Sequence, residues 1–139
     1  MSWFHTDFQN RTGIKVPVTE PKGEIYLTPD ELAKRPEGRY WVVIAGGKLD
    51  MTAKVWSTAY WQRTVDTLRS YGIRCVQAGG TFARHFHPTL HNVEQYVGQT
   101  RNERDFFALI AGAEGVICGI TGAMHIAAVY DKPCVVIAG

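Results

Sequence analysis

A threonine–glycine turn followed by a histidine is the stretch of this sequence best suited to bind an anion. In GITGAMHIAA, Thr121 and Gly122 follow an apolar run, and His125 stands in the first turn of the helix that the next residues favour. The first N–H groups of a helix lack intrahelical acceptors and carry partial positive charge. We expect Thr121 to cap this helix through its hydroxyl. The pattern predicts a phosphate site; the alternative is a capped helix whose histidine faces solvent or packs.

A glycine-bearing loop, GGKLDMTAK (residues 46–54), is a second candidate for ligand binding. Gly46 and Gly47 allow the backbone to come close to a ligand, and Lys48 and Lys54 supply positive charge. The alternative is an ordinary loop with solvated lysines, and the loop alone does not decide between the two.

A third candidate is Gly79-Gly80-Thr81, which follows another apolar run and could contact a nucleoside. The residues alone favour glycines that only turn the chain.

Three histidines lie close together in HFHPTLH, at positions 85, 87 and 91. Their spacing could indicate zinc, but Pro88 interrupts any helix, and no cysteine or nearby carboxylate completes a tetrahedral set. A loop that faces a ligand or solvent is the favoured interpretation. The carboxylates are scattered and form no catalytic pair, and no nucleophile-elbow, zinc-protease or P-loop motif is present.

Apolar runs that alternate with helix-like segments must position these loops. The runs are YWVVIA (40–45), IRCVQ (73–77), VICGI (116–120) and CVVIA (134–138), with a short strand near 96–97. Strands that alternate with helices predict an α/β fold with a doubly wound, Rossmann-like parallel sheet. In such a sheet, ligands bind beyond the carboxyl ends of the strands, where all three candidate loops fall. Between two of these strands, Thr100 and Glu103 match a helix capping box.

The first 38 residues differ from the rest because they contain four prolines and scattered hydrophobic residues. We expect residues 1–38 to be a lead-in or linker, with extended pieces at 14–18 and 24–27, and residues 39–139 to be an incomplete Rossmann-like domain. Thr28-Pro29-Asp30-Glu31 predicts the start of a short helix, with a capping box. The last residue follows a buried strand directly, which predicts a truncated chain that lacks at least one helix and one strand.

Composition excludes several classes of function. The chain has 139 residues and a net charge of +2, which argues against a nucleic-acid partner. No apolar stretch reaches the roughly 20 residues of a membrane span, and the N-terminus has no signal-peptide core. Three isolated cysteines indicate free thiols in a reducing compartment, so we expect a cytoplasmic protein.

Residues 40–139 resemble the donor-binding half of glycosyltransferase family 9, the heptosyltransferase-like enzymes. The similar segments are TG-x-x-H-x-A-A at 121–128, the Lys-Pro pair after it, and AGGKLDMTAKVW at 45–56. The resemblance implies one half of a GT-B enzyme, in which two Rossmann-like domains face each other. It implies inverting transfer of a sugar, a heptose from an ADP-sugar, to a lipopolysaccharide-type glycolipid at the inner face of the membrane.

The resemblance also assigns roles to residues. The donor diphosphate would contact Thr121, Gly122, the backbone of Ala123 and Met124, and His125, while Lys54 adds charge and Gly46 and Gly47 lie beside the phosphates. It implies no metal and no other cofactor. The catalytic base would come from an N-terminal domain that this chain lacks, so the chain alone is expected to bind donor without turnover.

Two departures from the family pattern keep a rival hypothesis open. Ile120 stands where the family has an aspartate that would touch the donor sugar, and GGTFARHFH lacks the family's acidic residue for the ribose. The rival is a non-catalytic or degenerate Rossmann-like binding module without donor chemistry. An NAD-binding domain is disfavoured because no GxGxxG turn follows the first strand.

Overall fold

Five helices and seven strands lie in the part of the chain that the computed structural model describes, residues 3–17, 22–50, 55–82 and 84–138. The helices are α1 (Trp3–Thr12), α2 (Pro29–Leu32), α3 (Thr58–Ser70), α4 (Glu103–Gly112) and α5 (Gly122–Val129). The strands are β1 (Trp41–Ile44), β2 (Gly47–Lys48), β3 (Cys75–Gly79), β4 (His85–Phe86), β5 (Glu94–Val97), β6 (Gly115–Gly119) and β7 (Cys134–Ile137). No described helix has the length and apolar character needed to cross a membrane.

The five main strands form one parallel sheet in the order β5-β3-β1-β6-β7. Val42 of β1 pairs with Val76 of β3 on one side and with Val116 of β6 on the other. Along the chain, β3 and β5 are therefore added on one side of β1, and β6 and β7 are then added on its other side. This doubly wound order confirms the predicted Rossmann-like α/β fold. The direction of building reverses between β1 and β6, which is where such sheets bind ligands.

Helices cover both faces of the sheet, which explains why the sequence of β1 is a continuous apolar run. Val42 and Ile44 belong to one core cluster, with residues of α4 and α5. Val43 and Ala45 belong to the other, with Trp61 of α3. Successive strand residues face opposite sides of a sheet, so a strand covered on both faces needs apolar residues at every position.

The N-terminal segment departs from the prediction. Residues Trp3–Thr12 form a helix that the sequence analysis missed. The extended pieces predicted at 14–18 and 24–27 form no strand in their described residues, and Val18 lies outside the described part. A strand needs a neighbour for its backbone hydrogen bonds, and neither piece pairs with the sheet. The boundary at residue 38 stays a prediction.

Helix α2 begins as the sequence predicts. The N–H of Glu31 donates to the Thr28 hydroxyl at 3.3 Å, and the N–H of Thr28 donates to the Glu31 carboxylate at 2.8 Å, which completes the capping box. Arg104 of α4 donates to both carboxylate oxygens of Glu31. The bonds from Arg104 and then from the Thr28 backbone hold the pKa of Glu31 at about 2. This contact joins the lead-in segment to the sheet domain.

Helix α4 begins two residues later than a capping box at Thr100 and Glu103 would require, so that prediction is wrong. Asn102 is the N-cap, and its side-chain oxygen accepts from the N–H of Asp105 at 2.9 Å. Both Thr100 and Asn102 are residue types that cap helices, and only the start of the helix decides between them.

This difference gives a stability prediction. Asn102→Ala should lower the free energy of unfolding by about 1 kcal/mol, because it removes the acceptor for a first-turn N–H. Thr100→Ala should stay within about 0.5 kcal/mol of the parent chain. Urea denaturation measures both values, and a larger loss for Thr100→Ala would contradict the assignment of the cap.

Candidate functional site

A cavity of about 570 Å³ opens at the carboxyl ends of β1, β3 and β6. The residues that end these strands, Ile44, Gly79 and Gly119, all line it. Because β1 lies between β3 and β6, loops that are far apart in the sequence meet at one edge of the sheet. The cavity therefore occupies the position that a doubly wound sheet offers to a ligand.

The start of α5 forms one wall of this cavity, through Thr121, Gly122 and Ala123. Thr121 is the N-cap by position, with extended backbone (φ −140°, ψ 173°), but its hydroxyl makes no capping bond, so the predicted side-chain cap is wrong. The hydroxyl oxygen is buried and lies toward the Cys118 thiol instead. The Met124 N–H donates to the Thr121 carbonyl oxygen at 3.2 Å, whereas the N–H groups of Gly122 and Ala123 have no acceptor within the helix and receive none from the Thr121 side chain. An anion in the cavity is the partner that these groups suit.

His125 and Met124 lie on the same helix but do not line the cavity. Ala123 and Ala127 are the buried residues of α5. His125 is two positions from each of them, so helical geometry turns it away from the sheet, and its side chain is exposed. Its predicted contact with phosphate, and that of the Met124 backbone, stay predictions.

The first glycine loop lies against the cavity, but its two glycines differ in their surroundings. Gly46, Gly47 and Lys48 all line the cavity. A Cβ on Gly46 would lie 2.0 Å from the carbonyl oxygen of Phe86 and 2.3 Å from Nδ1 of His87, whereas one on Gly47 would meet nothing within 4 Å. Gly46 is therefore needed for packing as well as for any close approach of a ligand. Lys54 lies outside the described residues.

The second glycine loop contributes Gly79 and Gly80 to the cavity wall, whereas Thr81 does not line it. The methyl group of Thr81 lies close to Gly98, because a Cβ there would be 2.7 Å from it. The interpretation that these glycines only turn the chain is incomplete, since both face the cavity.

The histidine loop is split by the fold. His85 and His87 line the cavity, whereas the backbone N–H of His91 donates to Gln62 of α3 at 2.8 Å and its side chain is not in the wall. Nε2 of His87 lies 3.0 Å from the carbonyl oxygen of Gly80. Burial lowers the pKa of His87. Its ring therefore favours the neutral form and packs where Gly46 and Gly79 leave room for it.

Apolar side chains around the cavity mouth are the part of the site that the sequence analysis missed. Exposed hydrophobic residues gather there: Leu49, Val55, Phe82, Phe86 and Ile120. Trp56 also lines the cavity, and its ring stacks on Tyr60 with the centroids 5.4 Å apart. The aromatic residues within GGTFARHFH were the available signal, because a loop that only turns the chain has no need of two phenylalanines.

Solved structures with a similar fold are heptosyltransferases. TibC, a dodecameric iron-containing heptosyltransferase in complex with ADP-D-β-D-heptose, aligns with a TM-score of 0.60 and 20% identity over 76% of this chain and 29% of its own. TibC from enterotoxigenic E. coli H10407 aligns with a TM-score of 0.58 and 18% identity, over 87% of this chain and 30% of TibC. E. coli ADP-heptose LPS heptosyltransferase II aligns with a TM-score of 0.65 and 19% identity, over 91% of this chain and 42% of that enzyme. These likenesses establish the fold, and the chain spans less than half of each of these proteins.

The expectation that no metal is involved requires correction. Both TibC structures are described as iron-containing, which contradicts the absence of a metal that the family resemblance implied. Within the described residues, no group of three or more histidine, cysteine, aspartate or glutamate side chains could hold a metal ion. The described part of this chain therefore does not fit an iron centre.

The family of the chain follows from its sequence as a whole. No curated protein matches it. The profile of glycosyltransferase family 9 (heptosyltransferase) matches residues 4–139, which is almost the entire chain and includes all three loops of the cavity. The chain therefore belongs to glycosyltransferase family 9.

Proposed function

We propose that the chain binds the diphosphate of a nucleotide-sugar donor in the cavity at the ends of β1, β3 and β6. One observation carries the proposal: two glycine loops and the start of α5 meet around one cavity of about 570 Å³. The N–H groups of Gly122 and Ala123 at the start of α5 would donate hydrogen bonds to the phosphate oxygens, with Lys48 in the wall and Lys54 on the same loop as cations. The cavity is within the size range of small-molecule sites in proteins.

In the whole enzyme, the proposed reaction is an inverting glycosyl transfer at the site between two GT-B domains. This chain would form one of the two domains and bind the leaving group. An acceptor hydroxyl oxygen attacks the anomeric carbon from the side opposite the diphosphate. The bond from that carbon to the diphosphate oxygen breaks, and a base from the other domain takes the hydroxyl proton. The helix start and the lysines stabilise the negative charge on the departing nucleotide diphosphate.

The substrates that we propose are ADP-heptose as donor and a lipopolysaccharide-type glycolipid as acceptor, held at the cytoplasmic face of the membrane. Family membership supports heptose transfer, and the TibC complex with ADP-D-β-D-heptose supports the donor. The acceptor rests on the similar E. coli protein, which is an LPS heptosyltransferase.

Calorimetric titration of the purified chain with ADP, GDP and UDP tests the proposal. Saturable binding of at least one nucleotide diphosphate is the expected result. Flat titrations for all three, on protein shown to be folded by circular dichroism, would overturn it. They would favour instead a degenerate binding module, for which apolar Ile120 in the cavity wall is the supporting observation.

Two substitutions test which cations serve the diphosphate. Lys48→Ala and Lys54→Ala should each weaken binding of the nucleotide diphosphate about ten-fold or more, because a charged hydrogen bond to phosphate contributes about 1.5–3 kcal/mol. His91→Ala and Lys132→Ala are the matched controls, since neither residue lines the cavity. Unchanged affinity in both test variants would contradict the assigned roles.

A further inference from the structure

The side chain of Phe82 is exposed at the mouth of the cavity and packs against His85 and Gly80. It is 74% exposed and lines the cavity. The ring of His85 meets it edge to face, with centroids 5.7 Å apart and planes at 67°. A Cβ on Gly80 would lie 2.6 Å from Cε2 of Phe82, so the ring occupies space that only a glycine leaves free. One side of the ring is packed while most of its surface stays open.

The chemistry of the surrounding wall narrows the choice of ligand. Among the described residues, the lining side chains that carry a polar atom are those of Lys48, Trp56, His85, His87 and Thr121, and no carboxylate or amide side chain is present. The start of α5 suits an anion, whereas the mouth, with Phe82 and Phe86, suits a flat apolar group. A molecule that satisfies both ends joins a diphosphate to an aromatic ring.

We propose that Phe82 is the stacking platform for the nucleobase of the donor. This inference rests on the proposed function, because it assumes that the diphosphate lies at the start of α5. Every nucleobase has a π-face, and stacking on an aromatic side chain tolerates all of them. Stacking on Phe82 is the contact that this inference assigns to the base, because the described wall has no carboxylate or amide side chain to read the edge of one particular base. A purine offers more stacking area than a pyrimidine, so ADP and GDP should bind more tightly than UDP.

The test compares ADP with inorganic pyrophosphate, which has no base. Phe82→Ala should weaken ADP binding between about five-fold and a hundred-fold and leave pyrophosphate binding unchanged. Phe82→Trp should retain ADP affinity because it keeps an aromatic face. Tyr71→Ala is the control, since Tyr71 is 78% exposed and does not line the cavity. The exposed position of Phe82 predicts that the variants fold, which their melting temperatures check.

The outcomes separate the two proposals. If neither ADP nor pyrophosphate binds the parent chain, the proposed function fails, and the role of Phe82 fails with it. If ADP binds the parent chain and Phe82→Ala equally well, stacking is overturned while the donor site stands. If Phe82→Ala loses ADP and pyrophosphate together, the ring shapes the loop rather than the base site, which also overturns the inference.

Discussion

Gly46→Ala is expected to lower the free energy of unfolding by about 3 kcal/mol, as overpacking at a closed site does. The added Cβ would lie 2.0 Å from the backbone carbonyl oxygen of Phe86 and 2.3 Å from the imidazole of His87. The backbone at Phe86 cannot move freely, because it pairs with Gly47 in the small antiparallel ribbon of β2 and β4. The variant should also lose affinity for ADP, since all four residues line the cavity.

The neighbouring glycine provides the control for this prediction. Gly47→Ala places a Cβ in open space, with nothing within 4 Å, and should change the free energy of unfolding by no more than about 0.5 kcal/mol. Urea denaturation followed by tryptophan fluorescence measures both variants. Equal losses of stability in the two variants would mean that the conformation of the loop, rather than the position of His87, explains why glycine is needed.

Trp61→Ala should lower the free energy of unfolding by about 3–5 kcal/mol, as other large-to-small changes in protein cores do. Trp61 is 2% exposed and packs in the core cluster of Val43 and Val65. Its ring meets Trp56 edge to face, with centroids 5.1 Å apart. Because Trp56 lines the cavity, the substitution removes support from the ligand site as well as from the core.

Trp61→Phe separates the loss of volume from the loss of the indole. In the described part of the chain, Nε1 of Trp61 has no hydrogen-bond partner, so phenylalanine gives up no bond and keeps one ring in the core. We expect a clearly smaller loss of stability than for alanine, measured by the same denaturation, and ADP affinity close to that of the parent. A loss as large as that of Trp61→Ala would contradict the prediction, because it would show that a single ring does not fill enough of the space that the indole occupies.

The regular elements follow from local patterns, which is why they were predictable. The runs at 40–45, 73–77, 116–120 and 134–138 became strands β1, β3, β6 and β7 with ends shifted by two residues or fewer. A continuous apolar run favours a strand covered on both faces, as β1, β3 and β6 are, and alternation with helices favours a parallel sheet. The capping box of α2 was predictable for the same reason, since both of its bonds join residues three apart. The burial expected for the run at 134–138 is wrong, because β7 is an edge strand in which Val135 and Val136 are exposed. The family resemblance rested on the segments at 121–128 and 45–56 and the Lys-Pro pair, and the family profile over residues 4–139 confirmed it.

Choices between equivalent residues were not predictable. Thr100 and Asn102 are both good caps, and the choice depends on where α4 packs against its neighbours. The Thr121 hydroxyl could cap α5, but it turns inward beside Cys118. In each case the local sequence offers two states of similar energy, and tertiary packing selects one.

The sequence by itself determined the fold class, the family and the three loops that carry glycine or histidine, because these depend on residue types within a few positions of one another. Only the tertiary structure decided that β1 lies between β3 and β6, which brings those loops around one cavity. It also decided that Gly46 is confined while Gly47 is free. Finally, it placed Phe82 at the mouth and turned His125 away. Such contacts join residues tens of positions apart, and their energies depend on distances that no local pattern contains.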